Sequence, residues 1–578
     1  MVVLILIASG WLLLAGLSDV PASKATESRV AGIAAEMYLD ADYVVPRLNG
    51  SPFLEKPPLY SWLTAVVYHF LGISNLSARL VSVLSAIGIL LVLGGFQRTQ
   101  LKRPITDTLY TLFILATMVS FWSAARTSSQ DMLLAFGVTL SLLNAYRFLR
   151  HNDLKCLFLA GLGMGIAALS KGIFGVSMIL MPLVAYALVE RLSSERPSGY
   201  RAYGILLLGF TLGGVPLLLW LAMLYGEAGW SALYDVVWTN SFGRFQGASG
   251  GHVVPWYYYL VRVPALFQPW FFLVVLGVAS CLRAKRRSSF DVFLLCWLIV
   301  PIALLSLSSS KRTIYLLSLY PAAALVVGRV FYSLRQGAWG ARGIRYAAIF
   351  QWVLAALLGG YVLYELAVFR ASWLPWMVAI CAVAVLWFAY QVRYPYDLRR
   401  SLMTNLLVVY TLLVFYGSFL NSVSNQDRSF QNLFKDRAVF AGSSLRDLVV
   451  NEGFAPALYR PPERLSGAVV FYLHRTIPEL NSPEELNAFF QQHHKYLVIS
   501  EDNELLAFGD HTKSANLSRE TVYMTSSYGQ HSPNAGTASS IGGRAAPGVT
   551  DESTQLHSPQ DVAQPNEEDL AALPAHPA

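Results

Sequence analysis

Charge is the first thing this chain is short of. Of its 578 residues only 13% are Asp, Glu, Lys or Arg, about half the share of an ordinary soluble domain. So few charges cannot cover the water-facing surface of a chain this long, which excludes a string of soluble domains in spite of the length. Cysteine is scarce too. Cys156, Cys281, Cys296 and Cys381 all fall within or beside apolar runs and lack the spacing of metal ligands. They read as buried apolar side chains rather than as a disulfide framework. No basic segment precedes the apolar stretch from Met1 to Leu17, and Ala22-Ser23 is a weak cleavage site. That stretch is expected to be a short uncleaved helix, not a signal peptide. There is no internal repeat.

What is abundant is apolar: 55% of the residues are hydrophobic. A membrane-crossing helix needs roughly 17–25 such residues. Runs near that length lie at 3–17, 77–97, 106–124, 131–149, 155–170, 172–190, 203–224, 260–282, 289–307, 313–333, 344–367, 373–391 and 402–421. They predict about thirteen transmembrane helices, an α-helical polytopic membrane protein. The apolar stretch Pro57–Leu71 is too short to cross and is expected at the interface or as a re-entrant piece.

The net charge of +8 does not point to nucleic acid, because the basic residues come in short clusters between apolar runs. Alternate connections read Arg98-Lys102-Arg103, Arg147-Arg150-Lys155, Arg191-Arg196-Arg201, Arg283-Lys285-Arg286-Arg287, Arg335-Arg342-Arg345 and Arg393-Arg399-Arg400. The other set holds mostly single cations: Arg126, Lys171, Arg370 and the pair Lys311-Arg312. The clustered set is expected to face the cytoplasm. An odd number of spans then puts the N-terminus inside and the C-terminus outside, with the long loops 18–76 and 225–259 also outside.

After Asn421 the composition becomes mixed. The chain divides into a membrane domain, 1–424, a small extracytoplasmic α/β domain, 425–527, and a tail, 528–578, whose Ser, Gly, Ala, Pro and acidic content predicts disorder. Within the α/β domain Gly467–Leu473 and Tyr496–Ile499 read as strands, and Pro483–Gln492 as a helix capped by Ser482.

Ionisable residues at or near membrane depth are costly to keep and are candidates for function. The first outside loop gathers Glu27, Arg29, Asp42, Arg47, Glu55 and Lys56 into a short Pro- and Gly-punctuated segment. Cations suit a phosphate-bearing carrier, and carboxylates suit a base or a metal. The plain alternative is a solvated loop that pairs its own charges. Arg126 and Asp131 flank the start of the fourth run, where Asp131 could equally serve the helix N-terminus. Lys171 sits between two runs and could simply reach for the interface. The second loop carries His252 and Trp256-Tyr257-Tyr258-Tyr259, which also fits an interfacial belt. Ser308-Ser-Ser-Lys311-Arg312-Thr313 offers hydroxyls and two cations to an anionic head group.

Taken in order, these pieces resemble a known family. Thr-Glu27-Ser-Arg29, Asp42-Tyr-Val-Val-Pro-Arg-Leu-Asn-Gly, Glu55-Lys56-Pro-Pro-Leu, Ser-Ser-Gln-Asp131-Met, Ser-Lys171-Gly, His252-Val-Val-Pro-Trp-Tyr-Tyr-Tyr and Ser-Ser-Ser-Lys311-Arg312-Thr-Ile-Tyr315 are similar to the GT-C membrane glycosyltransferases. Within them, the aminoarabinose lipid A transferases and the bacterial relatives of the protein mannosyltransferases are the nearest branch. The resemblance runs from about residue 20 to 325.

It implies a sugar transferred from a polyprenyl-phosphate carrier to a lipid A-like or other acceptor on the outer face of a bacterial inner membrane. It implies interfacial helices in the first loop, and carrier-phosphate contacts from Lys56, Arg29, Lys311 and Arg312. A divalent metal such as zinc would be held by Glu55 and His252, and Asp42, Arg126, Lys171 and Tyr315 would line the cavity. Glu27 and Asp131 are the carboxylates nearest the chemistry. One departure stands out: the family's first loop carries Asp-Glu where this chain has Thr26-Glu27. Either Glu27 acts in place of that Asp, or the acceptor is already anionic and needs no base. The other expectations weighed are a protein O-glycosyltransferase of the same superfamily and, from a different class, a lipid transporter. Against the transporter stand the one-sided charges and the missing inverted repeat.

Overall fold

The computed structural model describes residues 10–335 except 20–21, 23–24, 194–197, 244–253, 285–286 and 309–310. It further describes isolated helical positions from 349 to 364, residues 408–414, 416 and 430–435, and residues 444–527 except 509–511 and 518–519.

The first long loop folds into two helices joined by a small hairpin: α1 (Ala25–Asp40), β1 (Arg47–Leu48), β2 (Ser51–Pro52) and α2 (Leu59–Leu71). The helix α2 starts directly after Pro57-Pro58, where proline is tolerated because the first turn lacks acceptors for its N–H groups in any case. Then come α3 (Asn75–Thr99), α4 (Ile105–Thr117), α5 (Val119–Ala125), α6 (Gln130–His151), α7 (Leu154–Lys171), α8 (Ile173–Ser193) and α9 (Tyr200–Tyr234), which continues as a wider helical turn, Asp235–Gly243. They are followed by α10 (Tyr258–Leu266), α11 (Phe271–Arg283), α12 (Ser289–Leu307), a 3₁₀ segment Thr313–Leu319 and α13 (Tyr320–Arg335). Side chains set several of the starts. Ser74 and Ser77 form a capping box before α3, Ser129 caps α6 and Asp153 caps α7.

Among the described residues seven helices are long and apolar enough to cross a membrane, or nine if each of two bent pairs is one span. The nine coincide with the nine runs expected between residues 77 and 333. Nearly half of the run 3–17, most of 344–367 and 402–421, and all of 373–391 lie outside the described residues. The bent pairs are α4–α5, at 72°, and α10–α11, at 113°. A break inside an apolar span strands backbone groups that no water reaches. Here the two breaks satisfy each other: Val119 N–H donates to the Gln268 carbonyl at 3.0 Å, and the Trp270 indole donates to Thr117 Oγ1 at 3.0 Å.

Glycine allows the close crossings. On α7, a Cβ at Gly163 would stand 2.5 Å from the Ser141 nitrogen of α6, and one at Gly165 would stand 2.4 Å from the Gly213 oxygen of α9. The helix is thus thin on both faces, as small-residue crossings in membranes require. Gly163→Leu should force α6 and α7 apart and cost about 1–3 kcal/mol. The check is the unfolding midpoint in detergent, with Leu162→Ala on the exposed face of α7 as the control expected to move it little.

Beyond the membrane helices the chain forms α14 (Phe430–Lys435), α15 (Leu445–Val450), β3 (Ala455–Tyr459), α16 (Glu463–Leu473), β4 (Glu479–Leu480), α17 (Pro483–Gln492), β5 (Tyr496–Ser500), β6 (Thr512–Leu517) and β7 (Glu520–Ser526). The five strands make one sheet in the order β4-β3-β5-β7-β6. The pairs β3–β4 and β3–β5 are parallel, β5–β7 and β6–β7 antiparallel, and Ala457 lies opposite Val498. The helix α17 and its Ser482 cap agree with expectation, as does the strand at 496–499.

Gly467–Leu473 does not form a strand. It is the body of α16, which starts after Pro462 and ends where His474 turns left-handed. Every residue from Leu465 to Leu473 is buried, because the helix lies between the sheet and α1. It shares its apolar cluster with Ala31, Ala34 and Ala35 on one side and with Leu458, Leu497 and Ile499 on the other. A helix buried all round loses the polar stripe that would have marked its period.

The contact with α1 is backbone to backbone. A Cβ on Gly467 would stand 2.6 Å from the Arg29 Cα, and one on Gly32 would stand 2.5 Å from the Gly467 oxygen. Asn49 adds a polar clasp: its amide donates to the Ile477 carbonyl (2.9 Å) and to Glu479 (2.8 Å), and its oxygen accepts from Ile477 N–H (2.9 Å). Glu36 on α1 holds that turn by accepting from the N–H groups of Asn49 (2.6 Å) and Gly50 (2.7 Å).

Candidate active site

The site lies where α1, the turn before α2, the start of α6 and the α7–α8 junction meet. Arg29 on α1 and Lys56 in the Glu55-Lys56-Pro57-Pro58 turn line one recess with Phe53, Tyr60 and Gln130. Glu55 stands between the two cations, with its carboxylate 3.9 Å from the Arg29 guanidinium and 4.0 Å from Lys56 Nζ. The Arg29 guanidinium also lies over the Phe53 ring, 5.2 Å from its centroid, and forms an ion pair with Glu463 of α16.

Next to Gln130, Asp131 opens α6. Its carboxylate accepts from Ser129 Oγ (2.7 Å) and pairs with Lys171 at the end of α7. Asp131 and Lys171 are both buried, and the Lys171 ammonium lies 4.4 Å from the centroid of the Tyr315 ring and 4.9 Å from that of Phe174. Gly172, which follows, sits against Pro57: a Cβ there would be 3.8 Å from the proline ring. The sequence therefore does bring Lys56, Glu55, Arg29, Asp131, Lys171 and Tyr315 to one end of the helices.

The remaining candidates have other duties. Glu27 is buried and closed off: it pairs with Arg79 at 2.6 Å and accepts the Ser128 N–H at 3.0 Å. Arg126 donates to the carbonyls of Leu12 (3.3 Å) and Leu13 (3.1 Å), closing the end of the helical residues 10–14, and is not among the recess residues. Burial, with the Arg79 charge nearby, pushes its guanidinium down to about 10. Asp42 shapes its own loop by accepting from Val44 N–H (3.1 Å), Val45 N–H (3.2 Å) and Arg47 Nε (3.4 Å). Lys311 is buried and donates to the carbonyls of Val254 (3.1 Å) and Ser308, stapling the two loops together; burial lowers the pKa of its ammonium. Arg312 is exposed and takes part through its carbonyl, which accepts from Tyr259 at 3.2 Å.

His252 lies outside the described residues. Among the described residues no three His, Cys, Asp or Glu side chains converge as a metal site, and the Glu55 carboxylate faces two cations. The expected pairing of Glu55 with His252 around a metal thus lies partly outside the described residues.

Residues 55–220 match the family described as dolichyl-phosphate-mannose-protein mannosyltransferase. The chain is 25% identical over 308 residues to undecaprenyl phosphate-alpha-4-amino-4-deoxy-L-arabinose arabinosyl transferase 2 of Proteus mirabilis, covering 52% of this chain and 54% of that protein. It is 28% identical over 330 residues to the corresponding transferase of Pseudomonas aeruginosa, covering 56% and 58%. The chain spans about half the length of the curated relatives it matches. The crystal structure of ArnT from Cupriavidus metallidurans bound to undecaprenyl phosphate superposes with a TM-score of 0.72 at 18% identity, over 90% of this chain and 97% of that one. The fold is the GT-C fold.

Within this fold the charges separate into two layers. Asp131 and Lys171 close one end of α6 and α7. At the other end of α6, Arg150 pairs with Glu190 of α8, which also accepts from Tyr186 (2.9 Å) and Tyr203 (3.0 Å). From Asp131 to Arg150 is about 28 Å of helix at ~1.5 Å per residue, close to the ~30 Å hydrocarbon thickness of a bilayer. The candidate site and this second cluster thus sit at opposite faces of one membrane layer.

Two functional neighbours escaped the sequence reading. Arg79, a lone cation in the first turns of an apolar run, could have been found by the rule that flags charges at membrane depth. Glu463 carries no local signal at all.

Proposed function

We propose that the chain transfers a sugar, of the aminoarabinose class, from undecaprenyl phosphate or a similar carrier to lipid A or another acceptor at the outer face of the bacterial inner membrane. The observation that carries the reading is the pair of cations, Lys56 and Arg29, lining one recess at the membrane boundary of a GT-C fold. The names of the sequence relatives and the bound lipid of the Cupriavidus protein support it. The basic clusters of the opposite loops support an outward-facing site.

The reaction is read as a displacement at the anomeric carbon with inversion. The C–O bond to the carrier phosphate breaks as the acceptor oxygen bonds to the sugar, and the phosphate stays in the membrane. Lys56 and Arg29 offset the charge that grows on the leaving phosphate, which makes electrostatic stabilisation the leading catalytic contribution, worth several kcal/mol. Lys171, held by Asp131, extends that positive edge toward Tyr315. Glu27 spends its carboxylate on Arg79, which leaves Asp131, beside Gln130 of the recess, as the other of the two candidate carboxylates for the chemistry. A phosphate acceptor, already ionised, needs no base.

The test is purified protein in liposomes with labelled undecaprenyl-phosphate aminoarabinose and lipid A. Label appearing on lipid A with equimolar release of undecaprenyl phosphate is the expected result. Label on an added exported protein instead would assign a protein acceptor. Donor crossing the bilayer without transfer would make the chain a transporter.

A further inference from the structure

Arg29 is claimed from two sides. Glu55 of its own loop stands 3.9 Å away, and Glu463, in the first turn of α16 on the α/β unit, forms the closer ion pair. Arg29 and Lys56 line the recess, and the two carboxylates that pair with them, Glu55 and Glu463, offset their charge. Such a balanced recess has little net attraction for an anion until one carboxylate withdraws. Glu55 is the more confined of the two, with its side chain 18% exposed and flanked by both cations, whereas the Glu463 side chain is 52% exposed. Arg29 is itself fixed, because Gly467 lies against its backbone.

We propose that Glu463 is a positioning residue of the α/β unit that competes with the carrier phosphate for Arg29, so that phosphate binding and the Glu463–Arg29 pair exclude each other. This rests on the reading that the recess takes a polyprenyl phosphate. The α/β unit then does more than cover the first loop: it sets the affinity for the carrier and helps the spent carrier leave. Once the sugar has gone, the phosphate bears more charge and holds Arg29 more firmly, and a returning Glu463 shortens its stay. The competition is between a half-exposed carboxylate and a phosphate for one guanidinium, so its effect is modest. An exposed pair of this kind corresponds to about two- to fivefold in binding.

Native mass spectrometry of the full-length protein in detergent, titrated with undecaprenyl phosphate and in parallel with phosphatidylglycerol, measures this directly. Glu463→Gln should bind undecaprenyl phosphate about two- to fivefold more tightly than wild type and turn over more slowly once product release limits. Arg29→Gln should bind more weakly. Adding Glu463→Gln to Arg29→Gln should change nothing further, because Glu463 acts through Arg29. A merely structural Glu463 would weaken binding when neutralised, so weaker or unchanged binding in Glu463→Gln overturns this inference alone. Wild-type protein that binds undecaprenyl phosphate no better than phosphatidylglycerol overturns the reading of the recess, and this inference with it.

Discussion

Lys56→Ala should lower sugar transfer by two to three powers of ten, about what one well-aimed charge contributes at a site where negative charge develops, while the protein inserts and elutes as wild type does. The fold has little to lose there. The Lys56 side chain is about a quarter exposed, with Glu55 4.0 Å from its Nζ. Pro57 and Pro58, not the lysine, start α2. The chemistry has more to lose. The ammonium is a compact charge at a recess whose other cation, Arg29, is partly neutralised by Glu463. The way the loss divides identifies the stage at which Lys56 acts. A fall in kcat with KM unchanged means that the ammonium favours the leaving phosphate over the bound donor. A rise in KM alone means that it holds donor and transition state equally. Lys56→Arg keeps the charge but moves it along a longer, planar group, and should fall between the two. Wild-type turnover in Lys56→Ala would remove the central cation from the proposal.

The parts of this molecule that were legible in its sequence are those where one local signal decides the outcome. The spans between residues 77 and 333 are apolar runs longer than any soluble helix needs, and each coincides with a helix or a bent pair. Ser482-Pro483-Glu484 carries cap, first-turn proline and acidic first turn together, and α17 begins there. Gly467–Leu473 had no such signal, since burial on both sides removed its period. The convergence of Lys56, Glu55, Asp131 and Lys171 was legible because each stands at the edge of a run, and a membrane aligns edges. What each charge does there was not. Arg126 and Lys311 donate to backbone carbonyls, and Asp42 accepts from backbone N–H groups and from Arg47 of its own loop; residue type does not distinguish that duty from ligand binding. The pairing of Arg29 with Glu463 crosses 434 residues of chain and depends on how the α/β unit docks, for which no neighbouring residue gives notice.

Arg79→Met should cost about 3–5 kcal/mol of stability, read as a lower unfolding midpoint in detergent and a smaller folded yield. Arg79 is 2% exposed, and its Nε lies 2.6 Å from the Glu27 carboxylate, itself 3% exposed. The same guanidinium donates to the Leu17 carbonyl at 2.9 Å, so it ties the turn after residues 10–14 to α1 and α3. Removing one member of such a pair leaves the other charged and without its counter-ion where water is scarce. Removing both leaves no lone charge, although the Ser128 N–H and the Leu17 carbonyl lose these partners. Glu27→Leu with Arg79→Met should therefore recover part of the loss. That double variant also decides between the two roles open to Glu27. Transfer that returns in proportion to the folded protein makes the carboxylate a structural counter-ion, and leaves the reaction to Asp131 or to an acceptor that arrives ionised. A double variant that folds but does not transfer would restore Glu27 as the base, with Arg79 as the group that keeps it charged.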